Sequence, residues 1–192
     1  MEKWINDVLD EKVELMKLIR ESNYFEELET VGRELSSTLR RGNKIILAGN
    51  GGSAADAQHF AAEIVGRFLK ERNSLPAISL CVDPSIVTCI ANDYGYDEVF
   101  SRQVSGLGKE GDVFIGISTS GNSKNILQAL SVCKEKNIYS IGLTGGDGGK
   151  MLSLCDNCIV VPSKETARIQ ESHILIGHIL CEIVENALFK QN

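Results

Sequence analysis

Residues 44–53 read KIILAGNGGS, and residues 113–123 read VFIGISTSGNS. In each stretch a short apolar run ends in a loop of small residues, 49–53 in the first and 118–123 in the second. A loop of this kind between a strand and a helix offers backbone N–H groups, hydroxyls and a helix N-terminus, which together suit an anion such as phosphate. Both stretches therefore predict a strand, a phosphate-compatible loop and a helix in succession.

The hydrophobic pattern outside these stretches predicts an α/β fold. Apolar runs alternate with segments of helical periodicity, and runs that are apolar throughout are typical of buried parallel strands. This alternation predicts a doubly wound, five-stranded parallel sheet flanked by helices. The predicted strands are 44–48, 77–82, 113–117, 138–143 and 158–161, and the predicted terminal helices are 2–21, 24–41 and 166–189.

The two small-residue loops are expected to face one crevice. In a doubly wound sheet of strand order 2-1-3-4-5, ligands bind where the order reverses, between the first and third strands. Those are the strands that end in the two loops. The alternative is that both loops are ordinary turns, with Ser53 and Ser123 capping the helices that follow. Capping and phosphate binding are compatible roles.

Composition and charge exclude several function classes. The chain has 192 residues, of which 43% are hydrophobic, and a formal net charge of −6. That charge disfavours nucleic acid and anionic membranes as partners, and no apolar run is long enough to cross a bilayer. Residues 1–12 contain several acidic side chains and lack the apolar core of a signal peptide. We therefore expect a cytoplasmic protein.

Two of the six cysteines, Cys155 and Cys158, have the CxxC spacing of redox and zinc motifs. A zinc site would need a second ligand pair, and the sequence has no matching CxxC or HxxxH. A redox dithiol usually opens a helix, whereas this pair precedes the apolar run 158–161. The sequence favours two reduced cysteines without a chemical role.

A candidate catalytic pair lies in the helix after the first loop. His59 and Glu63 are four residues apart, which places them on one helix face. Such a pair is more often a surface contact than a site, but here it can reach the crevice. The other histidines, His173 and His178, lie in the last helix. His59, Glu63 and a second histidine could bind zinc or transfer protons.

Several ordered segments resemble the sugar isomerase (SIS) domain family, and within it the bacterial phosphoheptose isomerases. They are GNGGSAADAQHFAAE (49–63), ANDYG (91–95), GISTSGNS (116–123), LTGGDGGKM (143–151) and ARIQESHILIGH (167–178). The resemblance covers nearly the whole chain and implies one SIS domain over 1–192 with a flavodoxin-like sheet. It also implies a homotetramer and one Zn²⁺ per subunit, with an N-terminal helical segment, 1–42, and an α/β core with the C-terminal helix over 43–192. The apolar stripe of the first helix predicts that the N-terminal segment is used in oligomerisation, and the alternative is that it packs back on its own domain.

The resemblance also implies a reaction and its residues. The expected enzyme is an aldose–ketose isomerase that interconverts sedoheptulose 7-phosphate and glycero-manno-heptose 7-phosphate, the first step toward activated heptoses for lipopolysaccharide, capsule or surface-layer glycans. Glu63 and His178 are the implied acid/base residues. The implied metal ligands are His59, Glu63, Gln170 and His178. The implied substrate contacts are Asn50, Gly51, Gly52, Ser53, Glu63, Asn92, Asp93 and Gln170 for the sugar, and Ser118, Thr119, Ser120 and Ser123 for the phosphate.

Helix geometry raises a question about this ligand set. Gln170 and His178 are eight residues apart, which is about 12 Å along a helix. Either both side chains lean toward one ion, or one of them serves the site of a neighbouring subunit. Arg67, one turn beyond Glu63, is a candidate to orient the Glu63 carboxylate, with a solvated helix end as the alternative.

Two other functions remain open from the sequence. A replication-initiator-associating SIS protein shares the QHFAA and ARIQE segments but acts by binding, and it resembles this chain less at Glu63 and His178. Because this chain keeps both residues, the sequence favours the enzyme. The other alternative is an SIS isomerase for a different sugar phosphate, such as arabinose 5-phosphate or a hexulose phosphate.

Overall fold

The computed structural model of the protein describes residues 2–22 and 24–189. The described part of the chain folds into one five-stranded sheet with helices on both faces. The elements are α1 (Glu2–Glu21), α2 (Tyr24–Arg40), β1 (Ile45–Gly49), α3 (Gly52–Val65), β2 (Ala77–Ser79), α4 (Pro84–Tyr94), a 3₁₀ turn (Tyr96–Glu98), α5 (Val99–Leu107), β3 (Val113–Ile117), α6 (Lys124–Glu135), β4 (Tyr139–Gly145), α7 (Met151–Leu154), β5 (Asn157–Val161) and α8 (Thr166–Leu188).

The sheet confirms the predicted doubly wound topology. Its strand order is β2-β1-β3-β4-β5, and every neighbouring pair is parallel. In the register between β1 and β3, Gly49 lies opposite Ile117. The loops that follow these two strands therefore leave the carboxyl edge of the sheet side by side, at the point where the strand order reverses.

The central strands are apolar throughout because helices cover both faces of the sheet. Successive side chains of a strand point to opposite faces. Ile45 and Leu47 belong to the core layer formed with α2, α3 and α8, whereas Ile46 and Ala48 belong to the layer formed with α5, α6 and α7. Every residue of β1 and β3 is buried. Both faces therefore select apolar residues, and no polar alternation is left in these strands.

Element boundaries differ from prediction by a few residues. β2 ends at Ser79 rather than at 82, although the Leu80 side chain stays buried and its N–H still bonds the Leu47 carbonyl at 2.8 Å. The apolar sequence pattern therefore extends beyond Ser79, the last residue of β2. The single-turn helix α7 was not predicted because four residues are too short to show periodicity. Gly42 follows the end of α2 with φ +77°, a conformation that glycine commonly adopts after a helix.

The first helix keeps most of its apolar stripe in contact with solvent. Leu15 of α1 is buried, whereas Trp4 and Leu9 are 60% and 59% exposed, and Val13 and Leu18 are also exposed. None of the helices in residues 2–22 and 24–189 combines the length and apolar character needed to cross a membrane. The exposed side chains of this stripe form an apolar surface on α1.

Candidate active site

The two small-residue loops meet through a pair of amides. Asn50 Nδ2 donates to Asn125 Oδ1 at 3.0 Å, and Asn125 Nδ2 donates back to Asn50 Oδ1 at 2.9 Å. The Tyr96 hydroxyl donates to the same Asn50 oxygen at 3.0 Å. Asn50 follows β1, and Asn125 lies in the first turn of α6, after the loop that follows β3. The loops therefore form two walls of one crevice, as expected.

The serine loop, residues 118–123, presents hydroxyls rather than a capped helix end. Ser123 occupies the N-cap position of α6, but its side chain makes no capping bond. Its Oγ instead lies 2.8 Å from Ser118 Oγ. Ser120 is exposed, and Thr119 is partly exposed. At the start of α3 the N-cap is Gly51, with φ +55°, so the capping interpretation of Ser53 is wrong.

A third segment, residues 145–151, packs against the serine loop and donates hydrogen bonds to it. The Met151 N–H bonds the Gly121 carbonyl at 3.1 Å, and the Lys150 N–H bonds Asn122 Oδ1 at 3.2 Å. A Cβ added at Gly121 would overlap the Gly148 carbonyl oxygen, so the two loops pack backbone to backbone. The GGDGG segment fits this role because glycine permits such close approach and positive φ.

His59, Glu63 and His178 converge on one point beside α3. His59 Nε2 lies 3.1 Å from Glu63 Oε1 and 3.2 Å from His178 Nε2. One ligand atom from each residue lies within 4.8 Å of the other two. Two imidazole nitrogens and a carboxylate oxygen are a donor set that Zn²⁺ accepts. The helices α3 and α8 run in the same direction, because Gln170 packs on Gly52 near the start of both helices and His178 meets His59 further along both.

The His178 ring is held from its other side by an aromatic contact. The Phe68 ring stacks on His178 with centroids 5.3 Å apart and an interplanar angle of 25°. Phe68 belongs to the segment between α3 and β2, which has no helical or strand periodicity. That segment therefore supplies an aromatic ring against which His178 packs.

A buried ion pair fixes this segment to α8. The Glu185 carboxylate accepts bonds from the backbone N–H groups of Phe68, Leu69 and Lys70, each at 2.9 Å, and from Arg72 Nε at 2.9 Å. The side chains of Arg72 and Glu185 are 1% and 2% exposed. Burial by itself raises the pKa of Glu185, but these hydrogen bonds lower its pKa overall. The carboxylate is therefore held in its charged form.

Gln170 lies apart from the His59 cluster within one chain. Its side-chain amide packs directly on Gly52, where an added Cβ would overlap it. Gly52 is seven residues before His59, about 10 Å along α3. Three of the four implied metal ligands are thus brought together. The fourth, Gln170, faces the loop of residues 49–53, here called the glycine loop.

Asn92 and Asp93 lie on α4, a helix with no buried residue. Asn92 Nδ2 donates to Asp93 Oδ1 at 2.8 Å, and Cys89 Sγ lies 3.7 Å from Asp93 Oδ2. Both side chains are exposed. Within the described part of the chain, the side-chain hydrogen bonds of these two residues stay within α4 and do not connect them to the His59 cluster.

Several supporting residues carried no clear sequence signal. Asn125 lies in the first turn of a helix, where asparagine is common, and Tyr96 lies between helices. Arg72 and Glu185 are 113 residues apart and belong to segments of unrelated pattern. Arg67 pairs with Glu71 at 3.6 Å and is exposed, which agrees with a solvated helix end.

Two buried polar groups near the crevice are incompletely paired. Asp56 lies one turn before His59, and its Oδ2 is buried without a hydrogen-bond partner among the described residues. Burial raises the pKa of this carboxyl. His173 Nε2 donates to the Thr144 carbonyl at 3.0 Å, and its buried Nδ1 has no partner among those residues. Burial lowers the pKa of His173 to about 4, which fits a structural, neutral imidazole.

Comparison with known proteins identifies the family. The SIS domain family model matches residues 9–145. A phosphoheptose isomerase of Aneurinibacillus thermoaerophilus is 61% identical over 163 residues, which are 85% of this chain and 82% of that protein. Phosphoheptose isomerase 2 of Campylobacter jejuni is 57% identical over 173 residues, 90% of this chain and 86% of that protein.

Solved structures agree with this result. The phosphoheptose isomerase of Neisseria gonorrhoeae superposes with a TM-score of 0.91 at 40% identity, covering 96% of this chain and 98% of that one. The phosphoheptose isomerase of Francisella tularensis superposes with a TM-score of 0.92 at 35% identity, covering 96% and 97%. The fold, the crevice and these matches together establish that the chain belongs to the phosphoheptose isomerases of the SIS domain family.

Proposed function

We propose that this chain is a sugar-phosphate isomerase that interconverts D-sedoheptulose 7-phosphate and D-glycero-D-manno-heptose 7-phosphate. The convergence of His59, Glu63 and His178 beside a crevice lined by the glycine and serine loops carries the proposal. Relatives more than 50% identical over most of the chain carry the name of this activity. The proposed product supplies activated heptose for surface glycans, as the family resemblance implies.

The reaction needs groups that move two protons. An aldose–ketose isomerisation transfers one proton between C1 and C2 and another between the two oxygens. A carboxylate suits the carbon-bound proton, and an imidazole suits the oxygen-bound one near neutral pH. We assign the first transfer to Glu63 and the second to His178. The contacts of Glu63 and His178 with the same His59 nitrogen support the assignment of both roles to one cluster.

The same three side chains fit a zinc ion. We propose that His59, Glu63 and His178 hold it, because their ligand atoms converge and match the donor types that Zn²⁺ prefers. When bound, the ion would polarise a substrate oxygen or position the groups around it. A nitrogen or oxygen whose lone pair is held by a cation cannot accept a proton at that moment. The second oxygen of Glu63 would stay free, so Glu63 would accept the carbon-bound proton either after release from the ion or while the ion only positions the groups around it.

The substrate is proposed to lie with its phosphate at the serine loop and its sugar at the glycine loop. The hydroxyl groups of Ser118, Thr119, Ser120 and Ser123, together with backbone N–H groups of this loop, would hold the phosphate. Asn50, Gly51, Gly52 and Ser53 would meet the sugar. The contact between Gln170 and Gly52 supports a place for the Gln170 amide beside the sugar. Asn92 and Asp93 of the exposed helix α4 complete the proposed sugar contacts.

We also propose a homotetramer in the cytoplasm. The exposed apolar stripe of α1, containing Trp4 and Leu9, and the uncovered helix α4 are surfaces that a second subunit would bury. Six free cysteines support a reducing compartment. Light scattering tests the assembly: Leu9→Glu should lower the mass, whereas Asp10→Asn, its exposed neighbour, should not. A wild-type monomer would contradict the tetramer.

Direct turnover tests the reaction. Metal-defined protein is incubated with sedoheptulose 7-phosphate, and aldose formation is measured with and without added Zn²⁺. Wild type should convert the substrate, and Glu63→Gln and His178→Gln should each lose activity by about 100-fold or more, as expected for loss of an acid/base group. Gln128→Ala, an exposed change on α6, should leave turnover unchanged. No conversion by the wild type in either condition would contradict the proposal and favour a binding role.

A further inference from the structure

The CxxC pair lies in a setting that its sequence position did not predict. Cys155 is the C-cap residue of α7, and Cys158 lies in β5, where its register partner in β4 is Gly142. A Cβ added at Gly142 would lie 3.0 Å from Cys155 Sγ and 3.0 Å from Cys158 Sγ. The two sulfur atoms therefore share the space that a larger residue at 142 would fill. This proximity of the two sulfur atoms distinguishes the pair from single cysteines that only fill the core.

The pair is polarised and accessible. The hydrogen bond from Cys155 lowers the pKa of the Cys158 thiol, and the same bond raises the pKa of Cys155. Thr144 Oγ1 lies 3.6 Å from Cys158 Sγ. Both cysteines are partly exposed, and Cys155 lines a cavity of about 510 Å³ together with Tyr139 and Asp156. A small oxidant can therefore approach a thiol that has a second thiol beside it.

The dithiol is linked to the serine loop through one turn of helix. The Cys155 N–H bonds the Met151 carbonyl at 3.0 Å, and the Met151 N–H bonds the Gly121 carbonyl at 3.1 Å. α7 thus connects Cys155 at one end to the serine loop at the other. A covalent bond between the α7 end and β5 would restrict α7, and through Met151 it would disturb Gly121.

We propose that Cys155 and Cys158 form a reversible disulfide in response to hydroperoxides, and that this disulfide weakens phosphate binding at the serine loop. The second half rests on the proposed function, whereas the first does not. Such a dithiol site would let the oxidation state of the cell lower flux through the enzyme without a change at the His59 cluster.

The oxidation balances with a hydroperoxide as the oxidant. The Cys158 thiolate attacks one peroxide oxygen, the O–O bond breaks, and Cys158 becomes a sulfenic acid while hydroxide leaves. The Cys155 sulfur then attacks the Cys158 sulfur, so that the S–S bond forms and the S–O bond breaks. The Cys155 proton leaves with that oxygen as water. Overall, two thiols are oxidised to one disulfide and the peroxide is reduced to water.

Peptide mass tests the site without any assay of activity. Trypsin releases residues 151–164, MLSLCDNCIVVPSK, which contain Cys155 and Cys158 and no other cysteine. After treatment of the intact protein with hydrogen peroxide, this peptide should lose two hydrogens, and dithiothreitol should restore them. The proposal would be overturned if Cys155 and Cys158 stayed free thiols at a peroxide dose that oxidises the exposed Cys89. Overoxidation of either cysteine without a disulfide would also overturn it.

Kinetics test the link to the serine loop. Oxidised wild type should show a KM for sedoheptulose 7-phosphate raised about three- to tenfold, the equivalent of one lost hydrogen bond, with a smaller change in kcat. Inorganic phosphate should bind more weakly by a similar factor, which tests the loop even without turnover. Cys155→Ser and Cys158→Ser should have the KM of reduced wild type, and peroxide should not change it. In Cys89→Ser, peroxide should raise KM as it does in wild type. A disulfide that leaves KM and phosphate binding unchanged would overturn the link.

Discussion

The Nε2 atoms of His59 and His178 lie 3.2 Å apart, although the residues are 119 positions apart in the chain. Glu63 Oε1 lies 3.1 Å from the same His59 nitrogen. Electron-rich atoms gather at this spacing when they share a proton or a cation. The contact joins α3 to α8 and gives the crevice its only histidine pair among the described residues.

Metal binding should depend on both histidines. We expect His59→Asn and His178→Asn each to weaken Zn²⁺ binding by more than the roughly 10–100-fold that loss of an outer-shell partner costs, because each removes a ligand atom. Calorimetry on chelator-treated protein measures this, with Arg67→Ala, an exposed change just beyond the end of α3, as the control. Equal zinc affinity in His178→Asn and wild type would show that the cluster holds no ion.

The amide pair between Asn50 and Asn125 should matter for substrate affinity. Asn125→Ala leaves Asn50 without its reciprocal partner, and an unsatisfied amide in a part-buried position costs about 1–3 kcal/mol. We expect kcat/KM to fall about tenfold, mostly through KM, because the Asn50 side chain loses its orientation. Steady-state kinetics measure this, with Gln128→Ala as the control on α6. An unchanged KM would mean that the amide pair only joins the loops.

The buried ion pair should hold the segment that carries Phe68. Glu185→Gln removes the charge that Arg72 and three backbone N–H groups share, and breaking a buried pair costs about 3–5 kcal/mol. Denaturant unfolding should show this loss, whereas Glu182→Gln, an exposed change on α8, should cost less than about 0.5 kcal/mol. Since the pKa of Glu185 is lowered in the fold, its contribution should be present above the ordinary glutamate range and lost as pH falls through the lowered value.

Stability should also fall below the ordinary pKa of histidine because of His173. Burial lowers the pKa of His173 to about 4, so below pH ~6.5 the unfolded chain takes up a proton that the folded chain refuses. We expect the free energy of unfolding to be about 2 kcal/mol lower at pH 5 than at pH 7 from this group alone. His173→Gln should remove that difference, as measured by urea unfolding at both pH values. An equal pH dependence in the variant would contradict the assignment.

The strands of the sheet could be predicted because burial determines the residue pattern within each strand separately. Burial on both faces makes β1 and β3 apolar throughout, and this pattern is legible without any tertiary contact. Strand ends were less predictable: Leu80 remains buried beyond the last ladder residue of β2, so the apolar run extends past the strand. The four-residue helix α7 left no periodic signal.

The crevice was predictable in part. Once β1 and β3 were placed as neighbours, their loops had to meet. The partner that joins them, Asn125, and the ion pair of Arg72 and Glu185 were missed, because an asparagine in a first helical turn and a charged pair 113 residues apart are common in sequences without such roles.

Hydrophobic period and loop composition act over a few residues, so they were enough to predict the sheet and its two loops from the sequence. The family followed from the resemblance of several ordered segments. The sequence also supplied His59 and Glu63 as a pair, since helix geometry fixes their spacing. The folded chain was needed to see that His178 joins them while Gln170 packs on Gly52, and that two cysteines share the space above Gly142. These facts depend on how separate elements pack, and packing is set by side chains distant in the chain.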